Sequence, residues 1–262
     1  MKSRIAFALL ATLALAACSP KTPEAAPAPA PAAAAASDPA PASSPAAAEA
    51  TPATETASTT PPPAAQPYTG PALVPGVDYV EIPGGQPFEP SNGKIEVVEF
   101  FSYICPACYA FEGPFKAWKA KQPADVRVTL VPATFRPDFA AYAKAYYAAD
   151  SLGVAAKSHD AVFQAIHLQH TLPGEGAQID TGKIAAFYGA YGVSPAQFTD
   201  AMNSFAVAGK VSRATQYMTR SQIGGTPSLV VDGKYLVKGK SWEDMLRITD
   251  GLIAQERAQG GH

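Results

Sequence analysis

The sequence is poor in cysteine, and this scarcity limits the metal chemistry that the chain can support. Only Cys18, Cys105 and Cys108 occur among 262 residues. A structural zinc site needs four ligands at suitable spacing, and there is no second cysteine pair. The four histidines lie far along the chain from the pair: His159, His167, His170 and His262. The sequence therefore predicts no metal site, and we interpret His167 and His170 as surface or core residues of a helix.

An excess of one charge and a long apolar run are also missing. Lysine and arginine number 20 against 22 for aspartate and glutamate, and no basic stripe indicates a nucleic-acid partner. The apolar run that begins at Ile5 covers about 13 residues, short of the ~20 that a membrane-spanning helix needs. We therefore expect no nucleic-acid binding. We also expect the apolar run to be too short for a typical membrane-spanning helix.

The first 17 residues have the features of a secretory signal. Lys2 and Arg4 precede the apolar run, and small residues at 15–17 (Leu-Ala-Ala) come directly before Cys18. This end resembles the bacterial lipoprotein signal, in which the cysteine becomes the acylated first residue of the mature chain. Several acyl chains would hold the protein firmly at a membrane. Two alternatives remain open: a clipped transmembrane anchor, or an ordinary cleavage site that leaves Cys18 as a free thiol or disulfide partner.

Residues 19–67 form a low-complexity segment that holds 13 of the 26 prolines and no aromatic residue. Such a segment cannot bury enough apolar surface to offset the entropy of ordering it. We therefore predict a lipoprotein signal peptide over 1–17 and a lipidated Cys18 with a disordered Pro/Ala-rich tether over 18–74. The globular domain is predicted over 75–262.

Cys105 and Cys108 stand where a predicted strand gives way to a predicted helix. Residues 95–102 (IEVVEFFS) are β-branched and aromatic, as in a buried strand. From Pro106 to about Lys121 the apolar spacing indicates a helix, with proline in its first turn. Free N–H groups at a helix N-terminus favour an anion, so we expect a lowered pKa at Cys105. Cys108 should be more buried and keep a more ordinary thiol than Cys105. A disulfide that closes so short a loop adds little stability, so the value of the pair is chemical.

Glu99 lies on the same predicted strand, six residues before Cys105. Strand alternation places it on one face with Ile95, Val97 and Phe101. One interpretation is a partly solvated side chain at an open sheet edge. We favour a buried acid whose pKa is raised by desolvation, and which exchanges a proton with Cys108 as that thiol reacts.

The rest of the domain predicts a small α/β fold. Asp232-Gly233 is a hairpin signal, Ser194 before a proline is a helix start, and Ser241 with Asp244 resembles a capping box. The patterns predict strands over 126–131, 228–231 and 234–237, a helical stretch over 138–222, and a last helix to about 258. The order strand, strand, helix, strand, helical stretch, strand, strand, helix indicates an α/β sheet interrupted by helices.

Residues 99–108 (EFFSYICPAC), together with a later Gly-x-Pro before a strand, resemble the DsbA family of periplasmic thiol–disulfide oxidoreductases. The resemblance runs from about Asp78 to the C-terminus. It implies a thioredoxin fold with a helical domain inserted between its two halves, which matches the helical stretch at about 138–222.

The same resemblance implies a role for each matching residue. Cys105 would be the nucleophile, Cys108 the resolving thiol and Glu99 the buried acid. Thr226-Pro227 would be a cis-proline loop facing the disulfide, with the backbone of Thr226 pairing to an extended substrate strand. The alternative for Pro227 is a trans loop proline.

Two positions depart from the family pattern. Ala107 follows Pro106 where family oxidases commonly carry histidine, so we expect Cys105 to be less acidic and its disulfide less oxidising. Thr226 resembles the residue of some isomerases and reductases, where many oxidases have valine. Its hydroxyl can hydrogen-bond a thiolate or the substrate backbone.

The resemblance implies a periplasmic enzyme that introduces disulfides into exported proteins by exchange at Cys105 and Cys108. It implies exported cysteine-containing substrates, a quinone-linked membrane protein that reoxidises the pair, and no metal or organic cofactor. The lipid anchor would add a membrane as partner, and Ser19 after Cys18 resembles outer-membrane sorting. Two alternatives remain: a reductase or isomerase of the same fold, and a non-catalytic copper-binding thioredoxin-like module, which would need His or Met beside the thiols.

Overall fold

The computed structural model of the protein describes residues 64–65 and 67–260. The predicted signal, Cys18 and most of the predicted tether lie outside these residues. Within the part that is described, no helix is both long and apolar enough to cross a membrane.

Five strands form one mixed sheet: β1 (Tyr79–Glu81), β2 (Ile95–Phe101), β3 (Val126–Pro132), β4 (Ser228–Val231) and β5 (Tyr235–Val237). Their order across the sheet is β1-β5-β4-β2-β3. β2 pairs in parallel with β3, and the other pairs are antiparallel. Between β4 and β5, Asp232 and Gly233 have φ values of 49° and 67°, and positive φ at both central residues is what a type I′ turn requires. The predicted hairpin is confirmed.

Seven α-helices and one short 3-10 helix (Tyr188–Tyr191) complete the described residues. The α-helices are α1 (Pro106–Lys119), α2 (Pro137–Ser151), α3 (Ala155–His167), α4 (Thr181–Phe187), α5 (Pro195–Met202), α6 (Phe205–Arg220) and α7 (Trp242–Gln259). The predicted order of strands and helices is confirmed, with α2 to α6 between β3 and β4. The prediction that His170 belongs to a helix is wrong. Its φ of 54° is left-handed, a conformation that a right-handed helix cannot continue.

Helices cover the sheet on both faces. One cluster unites apolar side chains of α1 and α7 with Ile95 and Val97 of β2. The other unites Val98 and Phe100 with side chains from α2 to α6. All seven residues of β2 are therefore buried, which confirms the predicted buried strand and places two glutamates, Glu96 and Glu99, in the interior.

Two serine caps begin helices where the sequence predicts them. The Ser194 side chain accepts a hydrogen bond from Gln197 N, and the Gln197 side chain accepts one from Ser194 N, a complete capping box. Ser241 likewise accepts from Asp244 N. The Asp244 carboxylate, however, accepts from Lys240 N at 3.0 Å. The second bond of the predicted capping box therefore goes to the backbone of Lys240 instead of to Ser241 N.

The last residues of the predicted tether pack against the domain. Leu73 joins the apolar cluster between α1 and α7, and the Tyr68 hydroxyl accepts a hydrogen bond from Arg247 at 2.9 Å. A Cβ at Gly251 of α7 would lie 2.8 Å from Leu73 Cδ1, so the glycine leaves room for this contact. The structure differs here from the predicted disordered tether over 18–74, because its aromatic and apolar end finds a surface on α7.

Candidate active site

The two cysteines lie at the point where β2 leads into α1. Cys105 is the N-cap residue of α1, and Pro106 occupies the first turn, as predicted. Cys105 Sγ accepts a hydrogen bond from Cys108 N at 3.4 Å. Both residues are free thiols; Cys105 is 8% exposed and Cys108 is fully buried. Pro106 is exposed and Ala107 is half-buried. Because Cys105 keeps some exposure and Cys108 keeps none, an external sulfur would reach the pair at Cys105.

The pKa of Cys105 is lowered to about 6. The largest cause is the hydrogen bond from the Cys108 thiol, which outweighs the opposing effect of burial. A hydrogen bond with the Thr226 side chain and the backbone N–H groups of Cys108 and Ala107 lower the pKa further. The predicted lowering is confirmed, although the N–H groups of the helix N-terminus, the predicted cause, are a secondary one.

Cys108 has the opposite character. Burial raises its pKa far above the ordinary thiol value, and the hydrogen bond and charge of Cys105 raise it further. The prediction that Cys108 is the more buried thiol is confirmed. The expectation that Cys108 keeps a more ordinary thiol than Cys105 is wrong, because a thiolate at this position would be removed from water. The pair therefore holds one proton tightly and releases the other easily.

The cis-proline loop faces the nucleophile. The Thr226-Pro227 peptide bond is cis, as predicted, and both residues are half-buried. The Cys105 thiol donates to the Thr226 carbonyl oxygen at 3.4 Å. The loop before β4 and the start of α1 thus meet at one point, although they are 121 residues apart in the chain.

Glu99 is buried in the middle of the sheet, where it pairs with Leu130 of β3 and Leu229 of β4. Only 1% of it is exposed, and its Oε2 has no hydrogen-bond partner among the described residues. Burial raises the pKa of Glu99 well above its ordinary value; the charge of Glu112 adds to this rise and Lys119 opposes it. The buried acid predicted from strand alternation is confirmed, and the sheet-edge interpretation is wrong.

Sequence reasoning missed a group of residues around Tyr103, which lies two residues before Cys105. His159 and His167 of α3 both bond Tyr103, which lies in the short loop before Cys105. Glu112 of α1 faces His159. The histidines are far from the cysteines in sequence, but the fold brings two of them to the loop that contains Tyr103 and ends at Cys105, here called the redox loop. The spacing of His159 and His167, two turns apart on one helix, was the signal that could have linked them.

One thiol of the pair ionises near neutral pH and its partner stays protonated, so the pair can exchange electrons with external thiols. On this sheet, with helices inserted between β3 and β4, such a pair defines a thioredoxin-like thiol–disulfide oxidoreductase.

Comparison with known proteins gives the family. The family model described as the DSBA-like thioredoxin domain matches residues 96–248. Thiol:disulfide interchange protein DsbA of Pseudomonas aeruginosa is 38% identical over 189 residues, covering 70% of this chain and 85% of the relative. Its counterpart from Burkholderia cepacia is 40% identical over 161 residues, covering 61% and 73%. The chain belongs to the DsbA family.

Solved structures agree in fold. The crystal structure of oxidoreductase DsbA from Xylella fastidiosa is 47% identical, with a TM-score of 0.68 over 71% of this chain and 98% of that one. The oxidoreductase NmDsbA1 from Neisseria meningitidis, at 22% identity and a TM-score of 0.60 over 71% of this chain and 95% of that one, shares the fold. The predicted thioredoxin fold with inserted helices is confirmed.

Proposed function

We propose that the protein introduces disulfides into exported proteins through Cys105 and Cys108. The observation that carries this proposal is the contrast between a Cys105 pKa of about 6 and a Cys108 pKa raised far above the usual value. A thiol of low pKa leaves readily in thiol–disulfide exchange. The reduced protein holds a stabilised thiolate, which favours electron flow from substrate to protein.

The exchange takes two steps. A substrate thiolate attacks Cys105 Sγ, forms a mixed disulfide and breaks the Cys105–Cys108 bond, leaving the electron pair on Cys108. A second substrate thiolate then attacks the substrate sulfur of the mixed disulfide, and Cys105 departs as a thiolate. The substrate loses two electrons and the pair gains them, so a quinone-linked membrane protein is proposed to accept them afterwards.

Glu99 is proposed to supply the proton that Cys108 takes up in the first step. Its raised pKa keeps the carboxyl protonated closer to neutral pH than an exposed glutamate. Its unpartnered Oε2 leaves the group free of competing hydrogen bonds within the described residues. A thiolate at Cys108, which is fully buried, would otherwise stay uncompensated, and the first step would be slow.

Thr226 and Pro227 are proposed to bind the substrate next to Cys105. The Thr226 carbonyl bonds the Cys105 thiol at 3.4 Å in the reduced protein. Once Cys105 is a thiolate or part of a disulfide, it has no proton to donate, and this carbonyl becomes free to accept from a substrate backbone N–H. Such strand-like pairing recognises backbone shape and leaves side-chain choice loose.

A mixed-disulfide trap tests the assigned roles of the two sulfurs. Cys108→Ser should accumulate a covalent complex between Cys105 and a reduced substrate protein, visible on a non-reducing gel. Cys105→Ser should form none, because Cys108 is fully buried. A complex of equal amount in both variants contradicts the assignment.

A reductase or isomerase activity is the second candidate, favoured by the half-buried Ala107 and by Thr226 at the cis bond. Redox titration against glutathione separates the two. A potential near −120 mV, typical of DsbA, supports the oxidase, whereas one near −270 mV, typical of thioredoxin, supports the reductase.

The periplasmic location and the lipid anchor at Cys18 belong to the same proposal. They are supported by the signal-like residues 1–17 and the proline-rich segment behind them, with the outer membrane as the proposed site. Mass spectrometry of the mature N-terminus tests this. An acylated Cys18 that is lost in Cys18→Ser, together with release of the protein from membranes, is the expected result; an unmodified Cys18 contradicts it.

A further inference from the structure

Helix α3 of the helical insertion holds the redox loop through two histidines. His159 Nδ1 lies 2.9 Å from the Tyr103 hydroxyl, in a buried contact. His167 Nε2 lies 2.8 Å from the Tyr103 carbonyl oxygen and must donate there, because a carbonyl only accepts. Tyr103 is 1% exposed and lies two residues before Cys105. Helix α3 therefore hydrogen-bonds both the side chain and the backbone of Tyr103 in this loop.

The Tyr103 hydroxyl fixes the orientation of His159. Burial raises the pKa of Tyr103 well above its ordinary value, so the hydroxyl keeps its proton and can donate to Nδ1. The other ring nitrogen, Nε2, then carries a hydrogen and points to Glu112 Oε2 at 3.5 Å. One histidine thus connects the loop before Cys105 to a carboxylate on α1.

Glu112 links this contact to the reacting groups. It lies on α1 one turn beyond Cys108 and acts electrostatically on the buried Glu99. Its side chain is 18% exposed and that of His159 is 11% exposed, and both line a groove formed by α1, α2, α3 and β3. Besides Tyr103 and Glu112, the titratable side chains around His159 in this groove are Glu89, Lys116, Lys119, Tyr146, Tyr147, Asp150 and Asp160.

We propose that His159 is a positioning residue of the redox centre: it holds Tyr103 in the loop that carries Cys105, and it holds Glu112 where its charge acts on Glu99. The inference rests on the proposed role of Glu99 as proton donor. His159 touches neither sulfur and acts through Glu112 and Tyr103.

The direction of the effect follows from like-charge repulsion. A carboxylate beside Glu99 disfavours its ionised form. If His159 is replaced, Glu112 is free to turn into the groove, its repulsion weakens, and Glu99 ionises at lower pH. Less of Glu99 is then protonated at neutral pH, and Cys108 receives its proton more slowly.

The test compares the pH profile of substrate-thiol oxidation in wild type, His159→Phe, Glu112→Gln and the double variant. Phe keeps an aromatic ring among Phe101, Tyr103 and Phe163, which surround His159. We expect the alkaline fall in rate to move to lower pH by about one unit in each single variant. The double variant should move no further, because both changes remove the same repulsion.

His170→Phe is the matched control, since His170 is an exposed histidine three residues beyond α3, and its profile should equal that of wild type. His159→Gln provides a second variant if Phe disturbs folding: its amide oxygen can accept from Tyr103, but its shorter side chain reaches Glu112 less well, so a shift in the same direction is expected.

An unchanged profile in His159→Phe, a shift to higher pH, or full additivity with Glu112→Gln would overturn the inference. Failure of the proposed function is a separate result. In that case Glu99→Gln would leave the wild-type profile unaltered, whatever the His159 variants do.

Discussion

Two glutamates on one strand have opposite surroundings. Glu96 and Glu99 of β2 are both buried, at 0% and 1% exposure. Glu96 accepts hydrogen bonds from Thr129 Oγ1 at 2.6 Å and from Phe88 N, and it pairs with Arg127 at 3.1 Å. Glu99 Oε2 has no partner among the described residues.

The difference separates a structural acid from a reactive one. A buried charge that is paired and bonded ties elements together, and its removal leaves partners unsatisfied. A buried carboxyl without partners is easier to keep protonated than ionised. Glu96 therefore joins β2 to β3, whereas Glu99, three residues further along the same strand, is proposed to deliver a proton.

The largest expected effect is on folding. Glu96→Gln should lower the free energy of unfolding by about 3 kcal/mol, because Arg127 loses its buried counter-charge. Urea denaturation of the oxidised protein measures this. The matched variant Glu99→Gln should lose no stability, and equal losses in the two would erase the distinction between the sites.

The second effect is on the reaction. Glu99→Gln should slow oxidation of substrate thiols near neutral pH by on the order of 100-fold, the size typical of a lost general acid. Stopped-flow fluorescence with a reduced peptide gives the rate. Glu96→Gln, assayed below its unfolding transition, should react at nearly the wild-type rate.

The third effect is on the pH dependence of stability. The folded-state pKa of Glu99 is raised, so between the unfolded value of about 4.3 and the folded value the native state binds more protons. Stability is then full at acidic pH and is lost as pH rises, by about 1.4 kcal/mol per pH unit within that window. The slope should appear in the difference between the free energies of unfolding of wild type and Glu99→Gln, followed against pH. Both proteins are measured in the oxidised form, so that the thiols do not titrate. A parallel pair of curves contradicts the raised pKa.

The smallest effect concerns one donor to Glu96. Thr129→Val removes the hydroxyl that bonds Glu96 Oε1 at 2.6 Å and should cost about 1 kcal/mol, because Arg127 still satisfies the carboxylate. Thermal unfolding measures this loss. The reaction rate should not change, and a slowed reaction would show that Glu96 also supports the chemistry.

Much of the local structure could be predicted because its causes are local. A proline after Cys105 begins α1, Asp232-Gly233 turns β4 into β5, and Ser194 caps α5. The burial of Glu99 also followed, since its alternate neighbours on the strand are apolar. The pairing of Glu96 did not follow, because its partners Arg127 and Thr129 lie on β3, 31 and 33 residues along the chain.

The sequence by itself determined the reactive pair, the strand and helix that present it, and through resemblance the cis-proline loop. Only the tertiary structure decided that the Cys108 thiol is the main cause of the low Cys105 pKa, that Cys108 is far from ordinary, and that His159 reaches Tyr103 across 56 residues. The physical reason is the distance along the chain over which each kind of interaction acts. Turns, caps and alternation act over a few residues, whereas desolvation and side-chain bonds in a core depend on which distant elements pack together.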